Sequence, residues 1–155
     1  MRKVFLIAAI VVACARKEAP PADTATPAPP PPPPAPPALT AADLKGTWNA
    51  TAKREGDTTA VALTFTSVTD STGKLTFAAN KQTVDFTSKY DGDSVVAMST
   101  KPYNDPALPK GSPKVMFRSV GRMKDGKMVG TATLMLASKP DSVVGRSNWE
   151  ATKAP

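Results

Sequence analysis

Histidine is absent from this chain, and cysteine occurs once, at Cys14. Zinc, copper and haem sites draw most of their ligands from these two residue types, and thiol catalysis needs a cysteine of its own. A lone cysteine also leaves no partner for an intrachain disulfide. Metal and thiol chemistry therefore lack their usual raw material, and no cofactor is expected. No complete nucleophile elbow or phosphate-binding loop is present either, and a non-enzymatic protein is expected. Long apolar runs are missing as well. The N-terminal one, from Val4 to Val12, is well short of the about 20 residues that a membrane-spanning helix requires.

What that short run does have is a context. Met1, Arg2 and Lys3 form a positive segment in front of it, and small residues follow, in the arrangement of an export leader. The segment Val11-Val12-Ala13-Cys14 resembles the bacterial lipobox. That resemblance implies diacylglyceryl attachment at the Cys14 thiol and removal of residues 1–13. Ala rather than Asp at position 15 implies sorting to the outer membrane in a diderm envelope. Two or more acyl chains, at about 0.8 kcal/mol per buried methylene, hold a protein on a membrane essentially permanently. The competing reading is an ordinary secretory leader with a cysteine near its end by chance.

Proline is unevenly spread: of seventeen, eleven fall between Pro20 and Pro37. With little that is large and apolar before Leu39, residues 14–38 read as a lipidated cysteine followed by a linker. Proline fixes φ and lacks an amide donor, so the run Pro29 to Pro34 favours extended polyproline II. At about 3.1 Å per residue, such a stalk spans roughly 70 Å.

The segment 39–155 has the size of one domain with a single core. The formal net charge of +7 falls to +5 once Arg2 and Lys3 leave with the leader. Most of it is local, because Lys101 to Lys127 holds seven basic residues against Asp105 and Asp125. No aromatic platform accompanies these charges, and export separates the protein from most nucleic acid, so nucleic acid is not an expected partner. A monomer is expected.

Leu39 to Gly46 reads as one helical turn, with Thr40 as N-cap, Asp43 as the capping-box acid and Gly46 as the stop. Thereafter the period is two. Trp48, Ala50 and Ala52 alternate with polar neighbours, as do Val61, Leu63 and Phe65, then Leu75 and Phe77, then Val84 and Phe86. Ser94 to Ser99, Lys114 to Met123, Lys127 to Ala137 and Val143 to Thr152 complete eight strands. Glu55-Gly56-Asp57, Asp70-Ser71-Thr72-Gly73, Asn80-Lys81, Asp91-Gly92 and Asp125-Gly126 punctuate them with turn chemistry. Without a crossover helix the strands should meander antiparallel, and closure removes two exposed edges. An all-β, eight-stranded, up-and-down antiparallel barrel is expected, in preference to a sandwich. Gly121, Gly130 and Gly145 are read as bends that help it close.

A capped turn running into Gly46-Thr47-Trp48 at the head of the first strand resembles the calycin superfamily of lipocalins, fatty-acid-binding proteins and avidins. That resemblance implies a barrel with Trp48 plugging its closed end, a basic residue from the last strand lying over it, and a small ligand inside. Arg146 is the candidate for that basic residue.

Five residues are candidate ligand contacts: Trp48, Tyr103, Arg118, Arg122 and Trp149. The two tryptophans fall on the first and last strands, where they either fill the core at the seam or stack on a ligand. Arg118 and Arg122 alternate with Met116 and Val120, opposite the more apolar Val115, Phe117 and Met123. They face solvent in that register, and a one-residue slip turns them inward to clamp a carboxylate or phosphate. The stretch Thr100 to Pro113, with four prolines, Tyr103 and Leu108, either covers a barrel mouth or offers an edge to a partner. The expected protein is an envelope lipoprotein whose barrel binds a small apolar or anionic amphipathic molecule. Its alternative is a packed barrel that acts as an inhibitor or adaptor through its basic face and the 100–113 loop. An interior below about 300 Å³ favours the packed form.

Overall fold

In the computed structural model, residues 30–31 and 37–155 are described, so the leader, Cys14 and most of the proline-rich linker lie outside the described residues. One turn of helix, α1 (Ala41–Leu44), is followed by eight strands: β1 (Thr47–Arg54), β2 (Ala60–Thr69), β3 (Thr72–Phe77), β4 (Thr83–Asp91), β5 (Ser94–Ser99), β6 (Val115–Lys124), β7 (Lys127–Leu136) and β8 (Lys139–Lys153). Each strand pairs antiparallel with the next, and β1 pairs with β8, which closes the barrel.

The turn residues act as their chemistry requires. Asp125 and Gly126 both take positive φ, 51° and 75°, and join β6 to β7 in the mirror-image hairpin that matches strand twist. Gly46, at φ 106°, ends the helical approach and releases the chain into β1. Gly73 is the exception, because it lies within β3 rather than in the preceding turn. A Cβ there would stand 2.3 Å from the Phe86 ring, so glycine is needed for packing and not for turning.

Alternation puts Trp48, Ala50, Ala52 and Arg54 of β1 on the inner face, and the register pairs Trp48 with Phe65 and with Lys153. The buried side chains then form two separate clusters. One contains Leu39, Leu44, Trp48, Ala50, Val95, Met128 and Ala151, at the end of the barrel under α1. The other contains Phe77, Val84, Tyr103, Val115, Phe117 and Leu134, at the opposite end. A filled barrel of this size has one contiguous core.

The α1 end is tied down by backbone and side chain together. The Leu39 amide donates to the Gly92 carbonyl at 2.8 Å, and the Trp48 indole N–H donates to the Leu44 carbonyl at 3.2 Å. Trp48 is 2% exposed, and Lys153 Nζ sits 5.9 Å from its ring centroid, a cation–π placement. At the far end, Tyr103 exchanges both backbone hydrogen bonds with Val115, at 3.0 and 2.9 Å. This folds the 100–114 segment back across the opening.

One strand overshoots its neighbour. The β1 pairing of β8 ends at Ser147, so Lys139 to Gly145 pairs only with β7, with register shifts at Leu134/Met135 and Met135/Leu136.

Candidate ligand cavity

Between the two end clusters lies an internal cavity of about 160 Å³. Its wall is mainly apolar, with Val61, Leu63, Phe65, Leu75, Phe86 and Ala97 among the lining residues. These side chains point inward yet are only half-buried, because the space in front of them is not filled.

Trp149 forms one side of this wall. Its indole lies flat against β6 and β7, where Gly121 and Gly130 leave room: a Cβ at either position would approach the ring to 2.6 Å. At Gly130 that Cβ would also stand 2.2 Å from the Val120 carbonyl oxygen. The indole N–H donates to Ser119 Oγ at 2.8 Å, and the Ser119 hydroxyl donates to the Thr131 carbonyl at 3.2 Å. Phe65 meets Trp149 edge-on at 6.3 Å and stacks on Trp48 at 5.8 Å, so an aromatic run connects the closed end to the cavity wall. The late-strand glycines thus serve side-chain packing. Gly145 has the same role, since a Cβ there would lie 3.1 Å from Arg54 Nε.

Tyr103 plugs the other end. Its ring lies 6.0 Å from Phe77 and 6.2 Å from Phe117. Burial pushes its hydroxyl far above the ordinary phenol range, with the neighbouring Asp105 charge adding to the effect. The hydroxyl makes a long contact, 3.5 Å, to Asp105 Oδ2, while Asp105 Oδ1 accepts the Ala107 amide at 2.8 Å. Arg54, Asp105 and Ala107 line the rim here, where the end of β1 meets the overhanging segment.

Of the residues singled out from sequence, Trp149 and Tyr103 line the cavity, whereas Trp48 closes the end beneath it. Tyr103 is a buried stopper and does not form an exposed edge. Arg118 and Arg122 are exposed on the outer face, in the unslipped register that places Ser119 and Gly121 inside. They do not reach the interior. Arg146 is also exposed, and the basic residue of the last strand over Trp48 is Lys153, which the register sets directly opposite it.

Arg54 is the charged group that the sequence reading missed. The alternation that placed Trp48, Ala50 and Ala52 inward places Arg54 inward too, so the signal was there. Ser71 and Lys74 have Ser-x-x-Lys spacing, but Lys74 Nζ pairs with Asp85 at 2.7 Å on the exposed outer surface. Among the described residues no group of histidine, cysteine and carboxylate side chains is placed to hold a metal ion.

Comparison of the chain with protein families, with characterised proteins and with solved structures gives no match. The functional reading therefore rests on the residues themselves.

Proposed function

We propose that this protein is a non-enzymatic, lipid-anchored envelope protein whose barrel holds a small, mainly apolar molecule. The observation that carries this reading is the division of the core into two end clusters with an apolar-walled space between them. The size of that space limits the guest. At about 160 Å³ it is close to an engineered cavity of roughly 150 Å³ that takes up benzene, and well below the about 300 Å³ at which drug-sized ligands begin. A fatty acyl chain does not fit without displacement of wall side chains, so the guest class is a single ring or a short branched aliphatic.

The test uses Trp149, which lines the cavity, against Trp48, which does not. In a Trp48→Phe variant the remaining indole should be quenched by iodobenzene and protected from aqueous iodide, and the wild-type melting temperature should rise with toluene concentration. A melting temperature indifferent to every ring-sized apolar guest counts against the reading. The anchor has its own test. Cys14→Ser should abolish metabolic labelling with palmitate and move the protein out of the detergent phase, whereas an unmodified Cys14 thiol in the wild type removes the anchor from the proposal.

A second reading, a packed barrel that acts through its outer surface, has two observations in its favour. The outer face of β5 to β7 sets Val96, Met98, Met116 and Val120 among Arg118 and Arg122, with Met98 41% exposed. Such an apolar and basic strip suits a protein partner, and an interior of about 160 Å³, below the about 300 Å³ that separates a ligand container from a packed barrel, favours this reading as well.

A further inference from the structure

We infer that the guest carries an anionic head, a carboxylate held by Arg54 at the rim while its ring or branched body fills the cavity. This inference rests on the cavity reading given above. Arg54 points into the barrel at the last position of β1, opposite Ser147, which also lines the cavity. It is half-buried, and its guanidinium lies over Gly145, where the missing side chain leaves the room it occupies. No carboxylate stands within 4.0 Å of it, since Lys74–Asp85 is the ion pair among the described residues, and its side chain makes no hydrogen bond there.

The nearby carboxylate is otherwise engaged. Asp105 accepts from the Ala107 amide and from the Tyr103 hydroxyl, contacts that hold the overhanging segment in place. The rim thus offers a planar cation with a full set of free donors, set above an apolar space. A guanidinium in that position suits a carboxylate, which accepts two parallel N–H bonds, and disfavours an ammonium group. The remaining polar groups of the wall, such as Ser88, Ser119 and Ser147, are neutral hydroxyls. A cavity of about 160 Å³ behind the rim favours a short acid of one ring over an extended chain, because it admits little more.

Three molecules with nearly the same body distinguish the outcomes: toluene, phenylacetate and phenethylamine, titrated calorimetrically into the full chain in detergent at neutral pH. Phenylacetate should bind at least about tenfold more tightly than toluene, as expected for a charge-assisted pair, and phenethylamine more weakly. Arg54→Gln should bring phenylacetate down to the toluene level while leaving toluene unchanged. Gly145→Ala, which keeps the charge but displaces the guanidinium, should reduce the preference for phenylacetate and serves as the second variant if Arg54→Gln folds poorly. Toluene binding without any preference for phenylacetate, a preference that survives both variants, or tighter binding of phenethylamine overturns the anion clamp and leaves the cavity reading standing. Failure of all three molecules to bind overturns both.

Discussion

At the scale of single residues, the tightest constraint on this barrel is the absence of a side chain at Gly130. A methyl there would collide with the Val120 carbonyl and with the Trp149 ring, and a backbone oxygen cannot swing aside as a side chain can. Gly130→Ala should cost about 3 kcal/mol in urea unfolding, at the upper end of ordinary overpacking. Tyr103 gives a second prediction, in alkali. Its folded-state pKa lies above the ordinary value of about 10 because the phenol is buried, so its contribution is fully present below pH 10 and is lost as pH rises beyond it. Tyr103→Phe should flatten the alkaline fall in melting temperature, leaving the smaller part due to Tyr90, whose pKa burial also raises. An unchanged alkaline profile counts against the plug. Residue roles were unevenly legible in the sequence. Arg54 follows from the same two-residue rhythm as Trp48. The partner of Gly121 and Gly130 is an indole on β8, and nothing local to either glycine announces it. That is why both read as bends when they are clearances.

The elements were the most legible layer, and the reason is physical. Inward apolar and outward polar residues alternate through most of β1 to β4, β5 to β7 keep the inward apolar set while adding apolar residues outside, and Asp-Gly, Asn-Lys and Gly-Asp pairs interrupt the rhythm where hairpins turn. The helical turn followed from the same logic, with Asp43 accepting from the Thr40 amide at 2.8 Å and from the Thr40 hydroxyl at 2.7 Å. Those bonds hold the Asp43 carboxyl below its ordinary range, the Thr40 hydroxyl contributing most, and Lys74 does the same for Asp85. Because both folded-state values are depressed, the associated stability is present above the ordinary carboxylate pKa and disappears as pH falls below it. Asp43→Asn should therefore lower the melting temperature near neutrality and reduce its loss between about pH 5 and pH 2. Equal shifts at every pH would show that the bond to Thr40 contributes nothing through its charge. The 100–113 segment was half legible. Its four prolines, Tyr103 and Leu108 left a mouth cover and a partner edge both open, and the paired backbone bonds of Tyr103 and Val115 make it a stopper.

For the whole molecule, closure was an expectation that local sequence favoured and did not compel. The pairing of β1 with β8 joins residues about a hundred positions apart, such as Ala50 and Ala151, and neither strand carries a mark that names the other. Cavity volume is harder still to read, being the small difference between a barrel interior and the side chains that fill it. Closure does not reach one place, the overhang of β8 from Lys139 to Gly145. That stretch exposes unpaired backbone donors and acceptors and a 46% exposed Val143, yet it also carries Lys139, Pro140 and Asp141 and sits beside shifted register. Charge, proline and a bulged ladder all obstruct a strand arriving from outside. Replacing Pro140 and Asp141 together with valine should leave the melting temperature of dilute protein nearly unchanged and make light scattering grow with concentration. On a crowded surface, copies that lack this guard would find each other and zip into fibres.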